Sequence, residues 1–264
     1  MFEPQGPKHA IIEAVFGLQL ARHFTASEIE ALIAQHDKFK NDLPRVNRTQ
    51  VIMLGGIPPG VSITPPTAGV SFDAMKRDGS LEWRLRAEDN QLILNCLAYS
   101  RWSEIWPRAR DYLKAASEIV IGNDNHVRGI LLQYVDVFLW KGDVAAYDPK
   151  LMLDPNSTHV PKSILECGPM WHLHQGWYRD DSLPEPGRLL ERLHLNAIPD
   201  DTGVPTVKVD TYLQLELANE QSVVSLFQNT PSMIENAFKY LHNDSKALLK
   251  SFLTDELAKR IDLQ

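Results

Sequence analysis

Residues 206–217, TVKVDTYLQLEL, alternate without a break. Val207, Val209, Thr211, Leu213, Leu215 and Leu217 fall on one side, and Lys208, Asp210, Tyr212, Gln214 and Glu216 on the other. Successive side chains of a strand point to opposite faces, so this spacing makes a strand with one dry face and cannot serve a helix of period 3.6. One dry and one wet face is the mark of an antiparallel sheet, since parallel strands are covered on both sides. The pattern recurs at 81–88, where Leu81, Trp83, Leu85 and Ala87 alternate with Glu82, Arg84, Arg86 and Glu88. Asp78-Gly79 before it predicts a tight type I′ turn, whose central residues both take positive φ. The expectation is a three-strand meander near 70–75, 81–87 and 91–98, and a second near 170–178, 189–198 and 206–217.

Helices should flank these meanders. Thr25-Ala-Ser-Glu28 fits a capping box and predicts a helix over 26–36. Trp102, Ile105, Trp106, Ala109, Tyr112, Leu113, Ala116 and Ile119 keep one apolar stripe after Ser100, a suitable cap. Pro107 inside that stripe predicts a late helix start or a kink, and Gly122-Asn-Asp-Asn125 a stop. Thr230-Pro231 predicts a capped start for a helix whose stripe is Ile234, Phe238, Leu241, Leu248 and Phe252, interrupted at Asn243-Asp-Ser245; Thr254-Asp-Glu opens a last short one. His9–Ala21 and Val127–Trp140 read as apolar strands, and the prolines and glycines of 41–67 as irregular loop with at most a short strand at 50–54. Strand, meander and long helix thus occur twice. The predicted fold is α+β: a single domain of two similar halves, about 1–125 and 126–264, each an antiparallel β-meander with helices packed on one face.

Chemistry is harder to find. The 264 residues are 44% hydrophobic and 23% charged, an ordinary globular composition, and the net charge of −7 is the wrong sign for a general nucleic-acid binder. Two cysteines, Cys96 and Cys167, are too few for a disulfide framework or a thiolate metal site. No secretory leader pattern opens the chain and no long apolar run could span a bilayer, so a cytoplasmic protein without membrane contact is expected. Gly55-Gly-Ile-Pro-Pro-Gly60 lacks the lysine and hydroxyl ending of a phosphate loop. There is no G-x-S-x-G elbow to anchor a hydrolytic serine. His172 and His174 share a strand face, with His194 on the next strand, a pattern that can chelate zinc or iron. The same alternation describes a solvated sheet face, which is the reading adopted: no metal, no cofactor and no catalytic residue is assigned.

Binding is the remaining option. Loop 141–168 is long and carries apolar Leu151, Met152 and Leu153, which fits a contact surface for a protein partner. Trp102 and Trp106 are the second candidates, since tryptophan anchors many interfaces. PKHAIIEAVFGLQL, SLEWRLRAEDNQLILNCLAYSRWSEIW, RGILLQYVDVF and VKVDTYLQLEL, in that order, resemble a sporadically distributed bacterial family of about this length with no established activity. The resemblance implies a prokaryotic, non-secreted protein of the kind carried in mobile or defence-related gene neighbourhoods. It brings no catalytic residues. Together these readings predict a non-catalytic interaction protein such as an antitoxin, immunity or phage-defence accessory factor. The alternatives are a helix-grip protein holding a small molecule, and a metal-dependent enzyme using the His-x-His strand.

Overall fold

Alternating strands need a dry layer over one face only, and the computed structural model, which describes residues 1–6, 9–50, 67–120 and 125–263, supplies it with helices. The strands are β1 (Phe2–Pro4), β2 (Ile11–Leu20), β3 (Arg45–Gln50), β4 (Thr67–Met75), β5 (Leu81–Glu88), β6 (Gln91–Cys96), β7 (Val127–Trp140), β8 (Trp171–Arg179), β9 (Gly187–Pro199) and β10 (Pro205–Gln221). The helices are α1 (Ala26–Ala34), α2 (Trp102–Val120), α3 (Val223–Phe227), α4 (Met233–Lys250) and α5 (Asp255–Arg260). The fold is α+β with antiparallel pairing. The chain divides into two compact units, neither continuous in sequence. One holds Phe16–Ile130 and Ala218–Glu235; the other holds Met1–Val15, Leu131–Leu217 and Asn236–Gln264. They are called the first and second unit below.

In the first unit the strand order is β3-β4-β5-β6-β2. The β4-β5-β6 meander stands where the alternation predicts it, with Leu85 opposite Phe72 on one side and Leu94 on the other. Its first turn differs in type. Gly79 has φ +84°, but Asp78 is not among the positive-φ residues. Lys76 N–H donates to Ser80 across a three-residue loop, and Gly79 N–H to Lys76. This is a type I turn closed by a left-handed glycine, and the Asp78 carboxylate accepts from Ser80 N–H and Oγ. The capping box on α1 is present in both directions, Thr25 to Glu28 and back. Helix α2 starts at Trp102 and runs through Pro107, so the start is not delayed. Ile105, Ala109, Tyr112, Leu113 and Ala116 carry its buried stripe. The glycine-rich segment 55–60, the expected strand beyond Gln50 and the helix stop at 122–124 lie outside the described residues. Strand β3 was hidden from the pattern because RVNRTQ holds a single apolar residue, Val46, and so shows no alternation.

In the second unit the order is β7-β10-β9-β8, with β1 antiparallel on β7. Leu213 sits opposite Glu191, and Leu195 opposite both Val209 and Leu173. Val207, Val209, Leu213 and Leu215 are buried as predicted. Gln214 and Glu216 are half-buried, not fully wet, because Tyr212 and Arg188 bond them. Helix α4 lies on the dry face: Tyr134 and Thr211 meet its His242 and Ser245. It is continuous through Asn243-Asp-Ser245. Its capping residue is Ser232, which pairs reciprocally with Glu235, and not Thr230.

Two substitutions test this layering. Phe238 is fully buried in the α4 stripe, so Phe238→Ala should cost about 3–5 kcal/mol in urea unfolding. Thr25→Ala removes only a cap on an exposed turn and should cost about 1 kcal/mol.

Candidate functional site

The wet face of the first unit is concave. Alternation sends Arg45, Asn47 and Thr49 of β3, Ser71, Asp73 and Met75 of β4, and Arg84, Arg86 and Glu88 of β5 to the side away from the buried Phe72 and Leu85, and they line a hollow of about 410 Å³. Register fixes the rows: Arg45 opposite Asp73 opposite Arg84, then Asn47 opposite Ser71 opposite Arg86. Asp73 is 3% exposed, so its buried carboxylate oxygens need hydrogen-bond partners. Arg84 supplies them as a fork, Nε to Oδ1 at 2.8 Å and Nη2 to Oδ2 at 2.7 Å, and Asn47 Nδ2 donates to Oδ2 at 2.9 Å. The same pairing raises the Arg84 guanidinium above its ordinary value. Arg86 meets Glu88 only at 3.6 Å. Among the described residues Arg45 has no carboxylate partner. Gly69 is paired with Glu88, and an added Cβ there would lie 2.9 Å from the Ala87 carbonyl and 3.1 Å from Glu88 Cβ. The bare backbone lets the Glu88 side chain lie close.

The wet face of the second unit carries the histidines. His174 and His194 are opposite one another, ring centroids 5.3 Å apart and tilted by 40°, and Asp210 is the next partner of His194. His172 is opposite Asn196 instead. The Asp210 carboxylate accepts both hydrogen bonds from Gln133 Nε2 at 2.8 Å. Among the described residues no three His, Cys, Asp or Glu side chains are arranged to hold a metal ion. Further along, Arg192 stacks 3.8 Å over the Tyr212 ring and Arg188 4.9 Å over Tyr178. Each guanidinium on this face is thus already laid on an aromatic ring.

The residues first singled out for binding are placed differently. Met152 and Leu153 are fully buried, and only Leu151 of the three reaches solvent, at 51%. Segment 141–168 is stitched down: Leu153 bridges Leu253, Asp154 N–H donates to Phe252 and Thr254 N–H to Met152. Its Val160, Ile164 and Leu165 join the same core. Trp102 and Trp106 are half-buried and stacked, centroids 5.5 Å apart and planes within 2°, both against Phe16. Arg84, Arg86, Arg101, Arg108 and Arg110 lie close in the sequence, interleaved with Glu82, Glu88, Glu104 and Asp111. The structure separates them, for Arg108 lies over Trp83 and bonds Tyr112, and Arg110 pairs Glu235 on the helical side. The signal for the hollow was the alternation itself, since Arg84 and Arg86 two apart must share a face.

The dry side of the second unit holds titratable groups as well. Arg179 is bound by Glu191 and Asp244 and donates to Tyr240 Oη at 2.7 Å. Burial would lower its guanidinium, but the two carboxylates outweigh that and raise it. His242 is held at about 4 by burial and by Lys246, with Nδ1 2.9 Å from the Tyr134 hydroxyl. Asp136 is 2% exposed, and burial pushes it up to about 7.

With this geometry in hand, no protein-family model and no curated protein matches the chain. Among the described residues no helix is long and apolar enough to cross a membrane.

The two buried groups set opposite pH dependences. Asp136 is raised on folding, so its contribution is full below about pH 4 and falls as pH rises towards about 7. His242 is lowered, so its neutral burial costs stability as pH falls from about 6.5 to about 4. Asp136→Asn should therefore raise stability at pH 8 by up to about 4 kcal/mol and change little at pH 4. Urea midpoints measured across that range check the sign.

Proposed function

We propose that this chain is a non-catalytic binding protein that presents the hollow on the first unit to a protein partner. The observation that carries this is Arg84, a guanidinium locked in place by the buried Asp73 at the centre of an open polar concavity. A group held so rigidly loses little freedom on binding, which is how a small surface gains affinity. The lining offers donors and cations but no nucleophile with a base and an orienting group behind it, the minimum for most covalent chemistry. The contact surface accordingly moves from loop 141–168, whose apolar side chains are used inside, to this sheet face. The resemblance noted in the sequence favours a bacterial, cytoplasmic setting and a role as an accessory factor in toxin–antitoxin, immunity or phage-defence systems. Each meander is followed in strand order by the long apolar strand that precedes it in its half, β4-β5-β6-β2 and β8-β9-β10-β7. This supports an origin of the two halves by duplication, after which one wet face set arginines against carboxylates and the other stacked them on rings.

Affinity-tagged protein recovered from its native host tests the proposal. Arg45→Glu with Arg86→Glu should release a partner that the parent chain retains, while the melting temperature stays within about 2 °C because both side chains are exposed. Leu151→Glu should retain it. A doubly reversed variant that keeps the partner places the contact elsewhere.

A further inference from the structure

Resting on the binding reading above, we infer that the hollow takes an acidic stretch of polypeptide and reads it through side-chain carboxylates. Its donors are three guanidinium groups, of Arg45, Arg84 and Arg86, with the hydroxyls of Thr49 and Ser71 between them, while the Asn47 amide is already given to Asp73 and Ser71. Arg84 spends Nε and Nη2 on Asp73, which leaves Nη1 for a ligand. The long contact between Arg86 and Glu88, at 3.6 Å, leaves room for a closer carboxylate to displace it. Guanidinium forks match carboxylates edge to edge, so an arriving Asp or Glu side chain fits these groups better than a spherical anion does.

Spacing adds a second argument. Arg84 and Arg86 are two residues apart on one strand, so their stems stand about 7 Å apart on the same face. The alternate side chains of an extended peptide have that same separation. A strand-like segment with acidic residues at every second position would meet both arginines in register. Met75, also in the lining, gives an apolar neighbour contact at the same hollow. Nucleic acid suits the site less well. The lining contains no aromatic ring on which a base could stack.

The test uses the intact chain and a fluorescent heptapeptide of alternating glutamate and leucine, read by anisotropy. The controls are the same peptide with glutamine for glutamate, inorganic phosphate as competitor, and a labelled oligothymidylate. The glutamate peptide should bind at least about tenfold more tightly than the glutamine peptide, and added salt should weaken it. Arg86→Glu should abolish the binding. Arg84→Lys, which keeps the charge and loses the fork, should weaken it about tenfold. Equal binding of the two peptides overturns the inference, as does displacement by phosphate at equal concentration or tighter binding of oligothymidylate that Arg86→Glu removes. If no peptide binds yet the Arg45 and Arg86 reversal still releases the cellular partner, acidic recognition falls and the binding reading stands. If no peptide binds and the reversed variant keeps its partner, both fall.

Discussion

A sheet strand has two faces, and in each unit of this chain helices cover only one of them. The consequence governs everything else. Every second residue of β5, β9 and β10 is committed to a dry interior and its neighbours to the opposite side. Loops, helices and even segment 141–168 are recruited to the dry side, where Met152, Leu153 and Phe252 share a core with Leu193 and Val209. The wet faces are what remains for contact with other molecules. Their chemistry is decided by whichever polar residues hold the alternate positions.

On the first unit those positions include a buried carboxylate, which makes the face more than a scatter of charges. A lone ionised Asp73 at 3% exposure would be costly; the fork from Arg84 and the amide of Asn47 satisfy it. Such a pair adds little net stability compared with an apolar isostere, but it fixes where a guanidinium stands. The second unit shows the opposite arrangement. There Arg192 and Arg188 lie on Tyr212 and Tyr178, their planar faces already occupied.

Much of this was legible in the residues. The alternation of 81–88 and 206–217 gave strand identity and the buried face, and Thr25-x-x-Glu28 gave a helix start to the residue. What failed did so for local reasons. Positive φ at Asp78 was inferred from the Asp-Gly pair, but the side chain accepts from Ser80 and the turn widens by one residue. Thr230-Pro231 looked like a helix start, but Ser232, two residues later, forms a reciprocal cap with Glu235. The hollow was only half visible. Arg84 and Arg86 were seen as neighbours on a face, but Arg45 and Asn47 belong to a strand that shows no alternation, and register with β4 is a long-range fact no local window contains. Met152 and Leu153 were misread because a long aperiodic segment gives no phase from which to tell inside from outside.

The division into units also bears on how the chain acquires its structure. The second unit draws on residues 1–15 and on residues 236–264, and Arg260 Nη1 donates to the Phe2 carbonyl across that span. During synthesis β1 therefore emerges long before β7, its sheet partner, and longer still before residues 236–264, which complete the unit. The first unit has most of its residues by position 130 and lacks only 218–235. Order of synthesis thus favours the unit with the arginine hollow, which can form its β3–β6 sheet while the other waits, its apolar β7 and β1 residues exposed. A ribosome stalled near residue 215 would hold the second unit still without residues 236–264, which carry Phe238, Leu249 and Phe252 of its core.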